Sequence, residues 1–138
     1  MVNAPKLLIV DDDQIMQRVL AAYAGSCGLA CTVAADGHSG LVAATGQRFD
    51  LVVTDFNMPV MNGIEMIGRI RSGGGASAAA PILVITASDH AAIRRNAILA
   101  GADDFLIKPI HFEEFRRRTQ VALGHTATQR APSRRRSG

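Results

Sequence analysis

Five short runs rich in Val, Ile and Leu recur along this chain, each followed by apolar residues at helical spacing. The runs are 6–10, 31–35, 50–54, 82–86 and 104–108. Strands alternating with helices build βα units and a parallel sheet, because a parallel neighbour is reached only through a crossover. Most of the runs are nearly continuous apolar strings, as strands covered by helices on both faces must be. Cys31-Thr32-Val33-Ala34-Ala35 is the most polar and belongs at an edge. Ile15, Val19, Leu20 and Tyr23 predict a helix over 13–26, and Ile64, Ile67 and Ile70 one over 62–71. Ile93, Ala97 and Ala100 predict a helix over 89–100, and Asp36-Gly37 opens a less apolar one near 38–46. Phe112, Phe115, Thr119 and Ala122 mark a last helix with Arg116-Arg117-Arg118 on its outer side. Gly28, Gly46 and Gly101 fall where left-handed helix caps need glycine.

Four of the runs end in residues with a shared chemistry. Leu7-Leu8-Ile9-Val10 leads into Asp11-Asp12, and Leu51-Val52-Val53-Thr54 into Asp55. The fourth run closes on Thr86 and the fifth on Lys108. In an open α/β sheet, ligands sit at the carboxyl ends of the strands, so these five groups converge on one edge. Carboxylates, a hydroxyl and an ammonium gathered there suit a divalent cation and a phosphoryl group. Three close carboxylates repel one another, which should raise the pKa of at least one. Taken singly, Asp11-Asp12-Asp13 also reads as a helix cap, Thr86 as an ordinary strand residue and Lys108 as a solvated turn residue.

With Asp55-Phe56-Asn57-Met58-Pro59, Met61-Asn62-Gly63 and Lys108-Pro109 added, the chain closely resembles the receiver domain of bacterial two-component response regulators over roughly residues 5 to 123. Asn57 and the lack of an output domain look most like the stand-alone chemotaxis type. The resemblance implies a flavodoxin-like (βα)5 fold, a doubly wound five-stranded parallel sheet of order 2-1-3-4-5. It implies Asp55 as phosphoacceptor, with Thr86 and Lys108 contacting the phosphoryl group. It implies Mg²⁺ as cofactor, held by Asp12, Asp55 and the Asn57 carbonyl, with Asp11 acting largely through water and Asp13 left to the helix cap. Thr86 and Phe105 would form the switch, and a cis bond would precede Pro109. Ser88 and Asn62 replace acidic residues more usual in the family.

The implied function is phosphorylation-gated signalling in the cytoplasm. The donor would be a histidine kinase or phosphotransfer protein, and a downstream protein would read the face of the fourth helix, fifth strand and fifth helix. The chain would be a monomer or a phosphorylation-dependent dimer, catalysing its own phosphorylation and dephosphorylation and no metabolic reaction. A phosphatase with an aspartyl-phosphate intermediate of the haloacid-dehalogenase type needs a second acid two residues past the nucleophile, where this chain has Asn57.

The net charge of +3 is concentrated beyond residue 124, where Arg130, Arg134, Arg135 and Arg136 meet no acid. The remainder holds 11 basic and 12 acidic groups, so nucleic-acid binding rests on that tail alone. The expected organisation is a receiver domain at 1–124 and a disordered basic tail at 125–138. No apolar stretch approaches a membrane span, and the first residues lack a signal-peptide layout. Cys27 and Cys31 lack the further ligands of a zinc site and read as two reduced, partly buried thiols. Residues 73–80, rich in Gly, Ala and Ser, read as a flexible loop at the edge opposite the site.

Overall fold

The computed structural model describes residues 4–87 and 90–125; Ser88 and all of the expected 125–138 tail but its first residue lie outside them. Five strands form one parallel sheet: β1 (Lys6–Val10), β2 (Ala30–Ala34), β3 (Leu51–Asp55), β4 (Ile82–Thr86) and β5 (Asp104–Ile107), in the order β2-β1-β3-β4-β5. The crossovers are α1 (Gln14–Ser26), α2 (Gly37–Gly46), α3 (Gly63–Ser72) and α4 (Ala91–Ala100), and α5 (Phe112–His125) ends the described chain. The strand pleat divides the aliphatics between two cores. Leu7, Ile9, Leu51, Val53, Leu83 and Ile85 face Leu20 and Ala24 of α1 and Phe115 and Ala122 of α5. Leu8, Val10, Val52, Ile82 and Val84 face Ala44 of α2, Met66, Ile67 and Ile70 of α3, and Ala97 of α4. Each Leu or Ile fully withdrawn from water contributes about 2 kcal/mol of transfer energy, which is why both faces must be apolar.

The chain leaves β1 for an outer strand on one side and returns past it to β3 on the other. Segments following β1 and β3 therefore diverge and leave a crevice at the strands' carboxyl ends. This is where the acidic residues lie.

Several boundaries differ from the sequence expectation. β2 and β3 are displaced by one residue in opposite directions, and β5 ends at Ile107, which leaves Lys108 just beyond the ladder. α5 runs to His125, one residue past the expected domain limit. Gly28 and Gly101 do adopt positive φ, +77° and +123°, but Gly46 stays within α2 and extended Gln47 caps that helix instead. Cys27 is partly buried, whereas Cys31 is exposed on edge strand β2.

The segment 73–80 is not a free loop. The Ser77 hydroxyl accepts from the Phe49 N–H at 2.8 Å and donates to the Gln47 carbonyl at 2.6 Å. The amides of Ala76 and Ser77 donate to Thr45 and Ala44. Arg71 donates to the carbonyls of Ala78, Ala80 and Gly101 and pairs with Asp103 at 2.9 Å. A Cβ on Gly75 would fall 2.7 Å from Thr45 Cα, so that glycine permits close approach.

Candidate functional site

Asp11 continues β1 by donating its amide to the Ala34 carbonyl, and its carboxylate turns into the crevice with 0% exposure. Its Oδ1 accepts the Asp13 N–H at 2.9 Å. Its Oδ2 is the buried side-chain polar atom without a hydrogen-bond partner among the described residues. Burial above all lifts the Asp11 carboxyl to about 6; the Asp13 N–H opposes this, and the Asp55 charge adds to it. Repulsion from Asp55 and Asp12 raises it in the sense the sequence implied, with burial the larger cause. Asp13 caps α1 by accepting the Ile15 N–H at 2.9 Å, and Gln17 Nε2 holds the Asp11 carbonyl at 2.8 Å.

Asp55 closes β3, 5% exposed. Burial pushes its carboxyl up, and Lys108, whose Nζ is 3.4 Å from Asp55 Oδ1, pulls the other way. One carboxylate oxygen each from Asp11, Asp12 and Asp55 lies within 4.8 Å of the others. An orphaned buried oxygen within three convergent carboxylates fits a hard divalent cation, which takes oxygen ligands and offsets such charge. Asn57 is exposed on the segment after Asp55.

Thr86 is buried at the end of β4, and its carbonyl accepts the Lys108 N–H at 2.9 Å. The Lys108–Pro109 bond is cis. Phe105 is buried against the α2–α4 side, and the Arg94 guanidinium carbon lies 4.7 Å from its ring centroid. All of the sequence-selected acids, with Thr86 and Lys108, therefore stand at one sheet edge; Phe105 lies deeper in the core.

Three positioning features escape a reading of motifs. Tyr23 donates its hydroxyl to the Ile110 carbonyl at 2.9 Å, while its ring packs edge-on against Phe112, so α1 secures the segment after Lys108-Pro109. Gly63 lies against Asp55: a Cβ there would be 2.5 Å from the Asp55 carbonyl oxygen, and its N–H donates to Phe56 O. A Cβ on Gly37 would fall 2.4 Å from Met61 O, so the start of α2 abuts the segment after β3. The glycines were visible in the sequence, but their neighbours were not.

The family model described as response regulator receiver domain matches residues 7–120. The chain belongs to this family. The receiver is 35% identical over 127 residues to the response regulator MprA of Mycobacterium sp. (strain KMS), which covers 92% of this chain and 54% of that protein. It thus spans about half the length of such curated relatives. Its fold superposes with a TM-score of 0.81 on the receiver domain of sensor histidine kinase PA1611 from Pseudomonas aeruginosa PAO1, at 31% identity, covering 88% of this chain and 98% of that one. That crystal structure has a magnesium ion coordinated in its active-site cleft. The chemotaxis protein CheY4 of Vibrio cholerae aligns with a TM-score of 0.81 at 29% identity, covering 86% of this receiver and 98% of that chain. Among the described residues, no helix is long and apolar enough to cross a membrane.

Proposed function

We propose that this receiver takes a phosphoryl group on Asp55 from a phosphohistidine of a histidine kinase or phosphotransfer protein. The observation that carries the reading is the half-buried Lys108 ammonium beside Asp55, opposite the acids Asp11 and Asp12. In the step, the phosphorus–nitrogen bond of the donor breaks as an Asp55 oxygen bonds to phosphorus. The imidazole keeps the bonding electron pair and is protonated by solvent. Asp55 is the nucleophile, Lys108 neutralises an incoming phosphoryl oxygen, and the Thr86 hydroxyl donates to another. Asp11, Asp12, Asp55 and the Asn57 carbonyl would hold Mg²⁺, which supplies charge neutralisation at the phosphoryl oxygens when bound.

Phosphorylation then biases a two-state equilibrium through Thr86 and Phe105, and a downstream protein reads the α4-β5-α5 face. The receiver catalyses its own phosphorylation and dephosphorylation, works in the cytoplasm, and acts as a monomer or a phosphorylation-dependent dimer. Residues 1–124 form the working unit, with the arginine-bearing remainder dispensable for phosphate transfer.

Mass spectrometry after incubation with acetyl phosphate and Mg²⁺ tests the reading. The expected result is a gain of one phosphoryl mass, lost in Asp55→Asn and on removal of Mg²⁺ with a chelator. Equal labelling of the Asn variant overturns it.

A further inference from the structure

Asp11 is the first residue past the β1–β2 ladder, whose last pair is Val10 with Ala34. Where a ladder ends, the peptide groups that follow need other partners. The Asp11 N–H still finds the Ala34 carbonyl, at 3.1 Å. The Asp11 carbonyl instead accepts from Gln17 Nε2 at 2.8 Å, from a side chain six residues on in the first turn of α1. Gln17 is itself fixed, because its backbone N–H donates to the Asp13 carbonyl at 2.9 Å. Contacts thus run in a closed ring from the end of β1 through the helix cap and back to β1.

The carbonyl that Gln17 holds belongs to the peptide joining Asp11 to Asp12. Anchoring that peptide fixes where both carboxylate side chains begin. One oxygen from each, with one from Asp55, must come together for a cation, and these three already lie within 4.8 Å. Mg²⁺ demands near-ideal octahedral geometry, so a peptide free to rotate would weaken its capture. The kind of donor matters as well. Lys or Arg could also reach a carbonyl one turn back, but either would set a cation beside the acids, in competition with the metal. The glutamine amide donates and adds no charge. The whole first turn, Gln14-Ile15-Met16-Gln17, is uncharged.

We infer that Gln17 is a positioning residue for Mg²⁺, holding the Asp11–Asp12 peptide so that both carboxylates face the cation. This rests on the reading of Asp11, Asp12 and Asp55 as the cation site. Gln17 touches neither metal nor phosphoryl group; it acts through the ligands it orients, as the outer partners of metal ligands do.

The test compares Gln17→Met, which keeps the length and loses the donor, with Gln17→Asn, which keeps the amide and loses the reach. Gln14→Met, at an exposed position of the same turn, is the control. Mg²⁺ affinity is measured by calorimetric titration without a phosphodonor, stability by urea unfolding in chelator, and labelling by acetyl phosphate over a range of Mg²⁺ concentrations. Both Gln17 variants should bind Mg²⁺ about tenfold more weakly, a typical loss for such a partner. The Mg²⁺ concentration giving half-maximal labelling should rise by the same factor, with the maximal rate kept, and the control should match wild type. A merely structural role would lower resistance to urea and leave the affinity of the folded protein alone. Wild-type affinity in either Gln17 variant therefore overturns the inference. A maximal rate that falls along with affinity overturns it too, because Gln17 would then act in the transfer step. A wild type that binds no Mg²⁺ overturns the cation site and the inference with it. Mg²⁺ binding without any labelling of wild type instead overturns Asp55 as phosphoacceptor, while the calorimetric comparison still decides the role of Gln17.

Discussion

Lys108 Nζ stands 3.4 Å from Asp55 Oδ1, reaching across the width of β4 from just past the end of β5. The ammonium is half-buried and the carboxylate nearly fully buried, so their attraction is poorly screened. Lys108→Ala should leave the sheet intact and slow labelling by acetyl phosphate by about a hundredfold, comparable to removing one preorganised charge-stabilising donor. Single-turnover rates would show this, and a wild-type rate would remove Lys108 from the mechanism.

Asp11 sets a pH dependence. Its folded-state pKa of about 6 lies above its ordinary value of 3.8, so the folded protein binds this proton more tightly than the unfolded chain. The associated stability is present below pH 3.8 and is lost as pH rises through about 6. In chelator, Asp11→Asn should therefore gain on wild type as pH is raised from 4 to 7, by an amount on the order of 2 kcal/mol. Added Mg²⁺ should reverse the ranking at pH 7 by stabilising wild type more. Denaturant titrations at several pH values decide this; a difference independent of pH would contradict it.

Arg71 should be the costliest surface-reaching residue to remove. It satisfies the carbonyls of Ala78, Ala80 and Gly101 as well as Asp103, so Arg71→Ala leaves several acceptors without their donor. The expected loss is about 3 kcal/mol in urea unfolding, and Arg71→Lys should recover little because the fork geometry is gone. Acetyl phosphate labelling should persist in the folded fraction, since Arg71 and the segment 73–80 that it latches lie at the opposite end of the strands.

Gly37→Ala should couple stability to the crevice. The new methyl meets the Met61 carbonyl at 2.4 Å, and either α2 or the segment after Asp55 must move. A loss of about 2 kcal/mol is expected from overpacking. Calorimetric titration should also show weaker Mg²⁺ binding, while Gly25→Ala, with open space around it in α1, should cost no stability and leave Mg²⁺ binding unchanged.

The sheet was legible because Leu7-Leu8-Ile9-Val10 and Ile82-Leu83-Val84-Ile85 leave little alternative to a strand buried on both faces. The crevice followed from the same runs, since Asp11, Asp12, Asp55 and Thr86 sit at or just beyond their ends. The latch at 73–80 was not legible. Gly73-Gly74-Gly75 has the composition of a flexible linker, and the contacts that fix it come from Thr45, Gln47, Phe49 and Arg71. Such partners are chosen by tertiary packing, which leaves no local periodicity. The burial of Asp11 was hidden likewise: an Asp-Asp-Asp run looks uniformly solvated until the fold buries one member and exposes the other two.

The five helices do not hold to the sheet with equal strength. α3 buries Gly63, Met66, Ile67 and Ile70, whereas α4 buries Ala97 alone and its cap residue His90 gives no side-chain bond to the first turn. At its far end, α4 stops at Gly101, whose carbonyl Arg71 grips. In hydrogen-exchange terms, the amides of α4 should open at lower free energy than those of α3, with protection fading from Gly101 toward Ala91. The helix that follows Thr86 is therefore expected to be an early one to open, and a uniform protection pattern over α3 and α4 would contradict this.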